Sequence, residues 1–138
     1  MESSQPSCPC LPERSYGACC GRLHSGEIVA PTAEALMRSR YSAFVVGDIE
    51  YLRLSWHSAT CPDDLALSSD QRWSGLQILD VVDGGMLDHH GEVKFVATYA
   101  LPGEMAGART LHERSRFERE NNRWVYLDGV SGGSATRD

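Results

Sequence analysis

Lysine is nearly missing from this chain. Lys94 is the sole example among 13 Lys and Arg residues, and the net charge is −6. A general nucleic-acid binder carries a basic surface, so that class is disfavoured at the outset. Arginine, the cation that dominates instead, suits bidentate pairing with carboxylates and stacking on aromatic rings. Long apolar runs are missing too. No stretch approaches the roughly 18 residues that span a bilayer. No basic region followed by an apolar segment opens the sequence, so no signal peptide is expected, and a reducing cytoplasm is the expected compartment. A Gly-rich phosphate loop is absent, as is a Ser or Cys set in a nucleophile elbow. The chain therefore lacks a strong catalytic signature, and no internal repeat is visible.

What the chain does have is cysteine in one place. Cys8, Cys10, Cys19 and Cys20 fall within 13 residues as C-x-C, eight residues, then C-C. Two close pairs of soft ligands joined by a turn suit a tetrathiolate site for one zinc ion. In a reducing compartment such clusters bind metal more often than they form disulfides. Four thiolates leave no open coordination position, so the implied role is structural. Adjacent Cys19 and Cys20 are geometrically demanding, and His24 is an alternative fourth ligand in place of Cys20. Cys61 lies outside the cluster and reads as a small loop or buried residue.

Beyond the cysteines the pattern divides the chain. Residues 1–7 read as a disordered lead within a module of residues 1–26, and a main domain follows over residues 27–138. Thr32 caps a helix beginning near Ala33, with Leu36, Met37, Tyr41, Phe44 and Val45 on its apolar face and Arg38 and Arg40 between them. Gly47 ends it. Asp48 caps a shorter helix carrying Tyr51, Leu52 and Leu54 and ending near Trp56 and His57. Leu65 and Leu67 are expected to dock a short helix or turn in the polar stretch that follows. Strands are expected over 73–83, 92–100, 109–119 and 123–129. Asp83-Gly84-Gly85 marks one turn, and Asn121-Asn122 marks a tight hairpin. The expected architecture is α+β: a curved four-stranded antiparallel meander packed on the N-terminal helices.

Alternation places Glu113, Ser115 and Phe117 on one face of the third strand, and apolar Phe117 points that face inward. Glu113 can then pair with Arg38 or Arg40 inside the domain, or act as a base with a raised pKa. His57 is a further acid/base candidate, or else a residue packed beside Trp56 to close a helix end. Glu113, His57 and Arg38 are thus the candidate catalytic residues. Tyr41, Tyr99, Trp73 and Trp124 read as core. Adjacent His89 and His90 do not suit chelation of one metal.

These motifs resemble a known family. Cys8-Pro9-Cys10 with Cys19-Cys20-Gly21-Arg22 resembles the SEC-C motif. The run from Ala30 through Pro31, Thr32 and Arg40 to Phe44 is similar to the core signature of the YchJ family. So are Trp56-His57 and Glu113-Arg114-Ser115-Arg116-Phe117, continuing through Trp124, Tyr126, Asp128 and Gly129. The resemblance implies an NTF2-like cone with a cavity between sheet and helices, behind a small zinc-binding module. It also implies that the module serves recognition of a protein partner or larger assembly. A second implied reading is a small-molecule binder or enzyme using the cavity, and a third is ribosome or nucleic-acid contact through the module. A homodimer through the open sheet face is compatible with the family. Two departures stand out. The loop from Leu11 to Ala18 keeps Tyr16 but lacks the lysines usual in SEC-C motifs, which weakens any nucleic-acid contact. The second, C-terminal cysteine cluster of some relatives is missing.

Overall fold

The computed structural model describes residues 7–63, 65, 72–105 and 107–131. Of the expected disordered lead, residues 1–6 lie outside the described residues, as does Leu67. Ser7 is described and paired. The chain opens with a hairpin, β1 (Ser7–Cys8) and β2 (Leu11–Ser15), followed by a 3-10 turn at Tyr16–Ala18 and helix α1 (Cys20–His24). This segment therefore has more regular structure than a loop between two cysteine pairs.

Helix α2 (Ala33–Val46) begins and ends where its capping chemistry dictates. The Thr32 hydroxyl accepts from the Ala35 N–H at 3.1 Å, and Gly47 closes the helix in the left-handed region at φ 82°. One residue later Asp48 caps helix α3 (Ile49–Leu54), accepting from the Tyr51 N–H at 3.0 Å. Both caps were legible as Thr and Asp placed before apolar runs.

Helix α2 is buried on two sides. One side carries Met37, Arg40 and Tyr41 toward the sheet, with Phe44 at its edge. The other carries Ser39 and Ser42, whose hydroxyls meet the Tyr51 hydroxyl at 2.7 Å and the Cys8 sulfur at 3.6 Å. Small polar residues suit this second side because they let α1, α3 and the cysteine hairpin approach closely. Val45, expected on the apolar face, is 37% exposed instead.

Four strands form an antiparallel meander in the order β3 (Arg72–Asp83), β4 (His90–Ala100), β5 (Arg109–Glu120) and β6 (Arg123–Ser131). Period-2 alternation sets the faces. Val93, Phe95, Ala97, Ser115 and Phe117 are buried beneath α2. The outer face is charged and self-paired: Arg114 bridges Glu92 at 3.1 Å and Asp80 at 3.2 Å, and Arg116 pairs with Asp128 at 2.6 Å. Asn121 and Asn122 make the two-residue turn between β5 and β6 at φ 56° and 67°.

The β3–β4 connection is the seat of α2. The Ala33 N–H donates to Gly84 O at 2.9 Å. Gly84 and Gly91 face each other across the hairpin, so closely that a Cβ on Gly91 would lie 2.5 Å from the Gly84 Cα. Arg119 clamps the same loop, donating to Asp88 O at 2.7 Å and Met86 O at 2.8 Å while lying over Trp124. Gly91→Ala is expected to cost about 1–3 kcal/mol, the usual penalty for overpacking. A urea midpoint unchanged from the wild type would show that the hairpin yields there without cost.

Candidate metal centre and cavity

Cys8 comes from β1 and Cys10 from the turn after it, while Cys19 caps α1 and Cys20 is its first residue. The hairpin and the helix start bring the two pairs together. All four sulfurs lie within 4.8 Å of one another. Contacts run from 3.5 Å for Cys10–Cys20, through 3.6 Å for Cys8–Cys10 and Cys10–Cys19, to 4.0 Å for Cys19–Cys20. Tetrahedral zinc with bonds of about 2.3 Å requires sulfurs about 3.8 Å apart. The donor set fits a metal ion in chemistry and spacing. All five described cysteines are free thiols.

Within the cluster, Cys10, Cys19 and Cys20 compete for one negative charge. Hydrogen bonding, first from Cys20 and then from Cys19 and Cys8, brings Cys10 down to about 5 against the cost of burial. Burial and the same hydrogen bonds push Cys19 up to about 11. Cys20 moves upward, chiefly because its proton is held by Cys10. A divalent cation removes this competition by stabilising all four thiolates together.

His24 is engaged elsewhere. Its Nε2 donates to Ser39 O at 2.8 Å, since a carbonyl can only accept. Its Nδ1 shares a hydrogen bond with the Tyr16 hydroxyl at 2.5 Å. His24 thus ties α1 to α2 through Nε2 and to the Tyr16–Ala18 turn through Nδ1. Arg38 joins α2 to the cysteine hairpin, with Nη1 on Cys10 O at 3.2 Å, and is held within α2 by Nε on Glu34 at 3.0 Å.

The cysteine module is not a loose appendage. Cys8, Cys10 and Cys20 are at most 4% exposed, and they belong to one buried cluster with Met37, Tyr41, Phe95 and Phe117.

On the sheet side of α2 lies a cavity of about 280 Å³, whose polar lining comes from Arg40, Trp56, Glu113, Ser115 and Tyr126. Arg40 is 4% exposed and is held by Nη1 donating to Leu52 O at 3.0 Å and Ser55 Oγ at 2.8 Å. Its guanidinium lies over the rings of Trp56 at 4.8 Å and Tyr126 at 4.5 Å. Burial lowers it to about 10, so it stays charged at neutral pH. Burial likewise pushes Tyr126 up to about 12. Glu113 is raised by burial, a shift opposed by the Tyr126 hydroxyl and the Arg40 charge. Its carboxylate rests over Gly129, where a Cβ would fall within 1.7 Å of Oε2.

The three candidate catalytic residues are not brought together. Glu113 lines the cavity, with Ser115 and Phe117 on the inward face as expected. Arg38 lies two residues, and so about 200° of helix, away from Arg40 and faces the cysteine module. His57 sits outside the cavity lining, with Nε2 3.9 Å from Glu118 and Nδ1 accepting from the Ala59 N–H at 3.0 Å. Of the two arginines considered as partners of Glu113, Arg40 shares its cavity. The signal was present in the spacing, because Arg40 follows Met37 by three and precedes Phe44 by four. Trp56 and Tyr126 were not expected as cavity walls. An isolated bridge between them joins the end of α3 to β6, with the His57 N–H on Tyr126 O at 2.8 Å.

The sign of the Glu113 shift gives a prediction. The folded protein holds this proton more tightly than the unfolded chain, whose carboxyl titrates near 4.5. Stability from this group is full below that value and is lost as pH rises through the folded pKa. Glu113→Gln is neutral throughout, so its stability should exceed that of the wild type at about pH 8 and converge with it by about pH 4. Parallel denaturation curves with no convergence would contradict the shift.

A sheet curved over α2, a cavity between them and four clustered thiols define the class: an NTF2-like α+β domain joined to a SEC-C cysteine cluster able to hold a metal ion. A family model for the YchJ middle NTF2-like domain matches residues 32–129. A UPF0225 protein of Streptomyces coelicolor is 52% identical over 124 residues, covering 90% of this chain and 94% of that one. A UPF0225 protein of Cupriavidus pinatubonensis is 46% identical over 135 residues, covering 94% and 91%. Among solved structures, a SEC-C motif containing protein from Rhodopseudomonas palustris has a TM-score of 0.78 at 28% identity, covering 92% of this chain and 99% of that chain. One from Psychrobacter arcticus has a TM-score of 0.72 at 30% identity, covering 94% and 85%. The chain belongs to the YchJ family, whose curated relatives carry the UPF0225 designation. No helix among the described residues is long and apolar enough to cross a membrane.

Proposed function

We propose that Cys8, Cys10, Cys19 and Cys20 hold one zinc ion as a structural lock, and that the cavity on the far side of α2 binds a small molecule. The observation that carries this reading is the position of α2. Its Ser42 and Arg38 meet the cysteine module, while its Met37, Arg40 and Tyr41 line the cavity. Zinc suits the site because tetrahedral thiolate sets favour a soft-tolerant d¹⁰ ion with no geometric demand of its own. A closed S₄ shell activates no water, so the metal's contribution is to fix the cysteine hairpin against the start of α1. His24 then acts as a clamp beside the metal. Zinc competition with a chromophoric chelator tests the ligand set. Cys20→Ser should weaken zinc by about a hundredfold or more, and His24→Ala by less than about tenfold. The reverse order would assign the fourth position to His24.

The module's use in recognising a protein partner is a second reading, favoured by its surroundings. Ile28, Val29 and Leu54 are exposed and border a groove of about 190 Å³ beside Leu23 of α1. Photocrosslinking in cells from position 29 should trap one discrete protein. Crosslinks spread over abundant bystanders would count against this reading.

A further inference from the structure

The cavity has more hydrogen-bond donors than its own acceptors use. Arg40 spends Nη1 on Leu52 O and Ser55 Oγ. Among the described residues its Nε and Nη2 have no hydrogen-bond partner, and it forms no ion pair within 4.0 Å. Those two nitrogens form the side-on edge of the guanidinium, the edge that matches a carboxylate with two parallel bonds. Those two nitrogens are not wholly enclosed, whereas Trp56 Nε1 is, and it is the one wholly enclosed side-chain N or O without a partner among the described residues. Both residues line the same cavity, whose remaining wall includes Met37, Tyr41, Phe44 and Trp73. The site thus combines one buried cation, one unused N–H and an aromatic wall.

Resting on the ligand-binding reading above, we infer that the cavity takes a small monocarboxylate with an aromatic or branched apolar body. Its carboxylate sits on the Arg40 edge and Trp56 Nε1, and its body lies against Phe44 and Trp73. A single positive charge with Glu113 sharing the cavity suits a monoanion. A phosphate dianion would need a second cation, and a cationic ligand would meet Arg40. At about 30 Å³ per water, the volume corresponds to a ligand of about ten non-hydrogen atoms.

The probes are benzoate, its neutral isostere benzamide, and benzylammonium, each titrated into the full zinc-loaded chain by NMR. Benzoate should shift the Trp56 indole N–H resonance and bind about tenfold or more tighter than benzamide, with benzylammonium weakest. Trp56→Phe keeps a ring and removes the donor, so it should weaken benzoate several-fold, whereas Glu113→Gln should strengthen it. If benzamide binds as tightly as benzoate, the carboxylate class is wrong while the ligand-binding reading survives. If Trp56→Phe and Arg40→Lys both bind benzoate like the wild type, the anion sits elsewhere and the inference fails. Absence of binding by all three probes overturns the inference and the cavity reading together.

Discussion

If the cysteine cluster holds zinc as proposed, stripping it with a chelator is expected to lower the thermal midpoint of the whole chain, in a single transition. The argument starts from burial. Cys8 and Cys20 are each 1% exposed, and they pack in the cluster that also contains Phe95 of β4 and Phe117 of β5. Cys10, Cys19 and Cys20 lie at 3.5–4.0 Å contacts and compete for one negative charge. Without a cation the hairpin and α1 have too little apolar area of their own to stay folded. Metal binding to such sites contributes on the order of 10 kcal/mol to local folding. When the module unravels, Ser42 and Arg38 lose their contacts with Cys8 and Cys10, and α2 is loosened along its length. A loss of about 3 kcal/mol from the main domain translates into a midpoint lower by about 10 °C. Cys20→Ser should reproduce the effect. An appended module would behave differently: its loss would leave the main transition where it was. Calorimetry with and without chelator, followed by zinc re-addition, separates the two.

Arg40→Ala is expected to be the most damaging single change on the cavity side, costing about 3 kcal/mol. Leu52 O and Ser55 Oγ would lose a charged donor, each bond contributing about 1.5–3 kcal/mol. Two ring contacts, to Trp56 and Tyr126, would go with it, at about 0.5–2 kcal/mol each. The cost of burying the charge offsets part of this sum, as its lowered pKa of about 10 indicates. Arg40→Met keeps the volume and should cost less than Arg40→Ala, because an apolar isostere recovers packing without the desolvation penalty. Urea denaturation of both variants measures the difference. An Arg40→Ala protein within about 0.5 kcal/mol of the wild type would show that the guanidinium does not join α2 to α3 and β6.

Most of the scaffold was legible because its signals are local. Thr32, Gly47 and Asp48 announce helix ends by their own capping chemistry, and Asn121-Asn122 announces a hairpin because Asn tolerates positive φ. Strand alternation placed Glu113, Ser115 and Phe117 on the inner face without any tertiary knowledge. The cysteine spacing stated a ligand set for the same reason. What stayed hidden depends on partners distant in sequence. Spacing says how sulfurs surround a metal but not that Ser42 lies against Cys8 or Arg38 against Cys10, so the module's fusion to the main core could not be read. Choosing between Arg38 and Arg40 for the cavity needed the phase of α2 relative to the sheet. The space for the Glu113 carboxylate comes from Gly129 on the neighbouring strand, offset from direct pairing by the strand register. Arg119 gave no local sign that it would clamp the β3–β4 loop.

The most direct measurement is metal stoichiometry by native mass spectrometry, paired with thiol counting on the folded protein. The account predicts one zinc per chain, four thiols protected until a chelator is added, and Cys61 alone reacting at once. Less than half an equivalent of zinc with all five thiols freely reactive would contradict it.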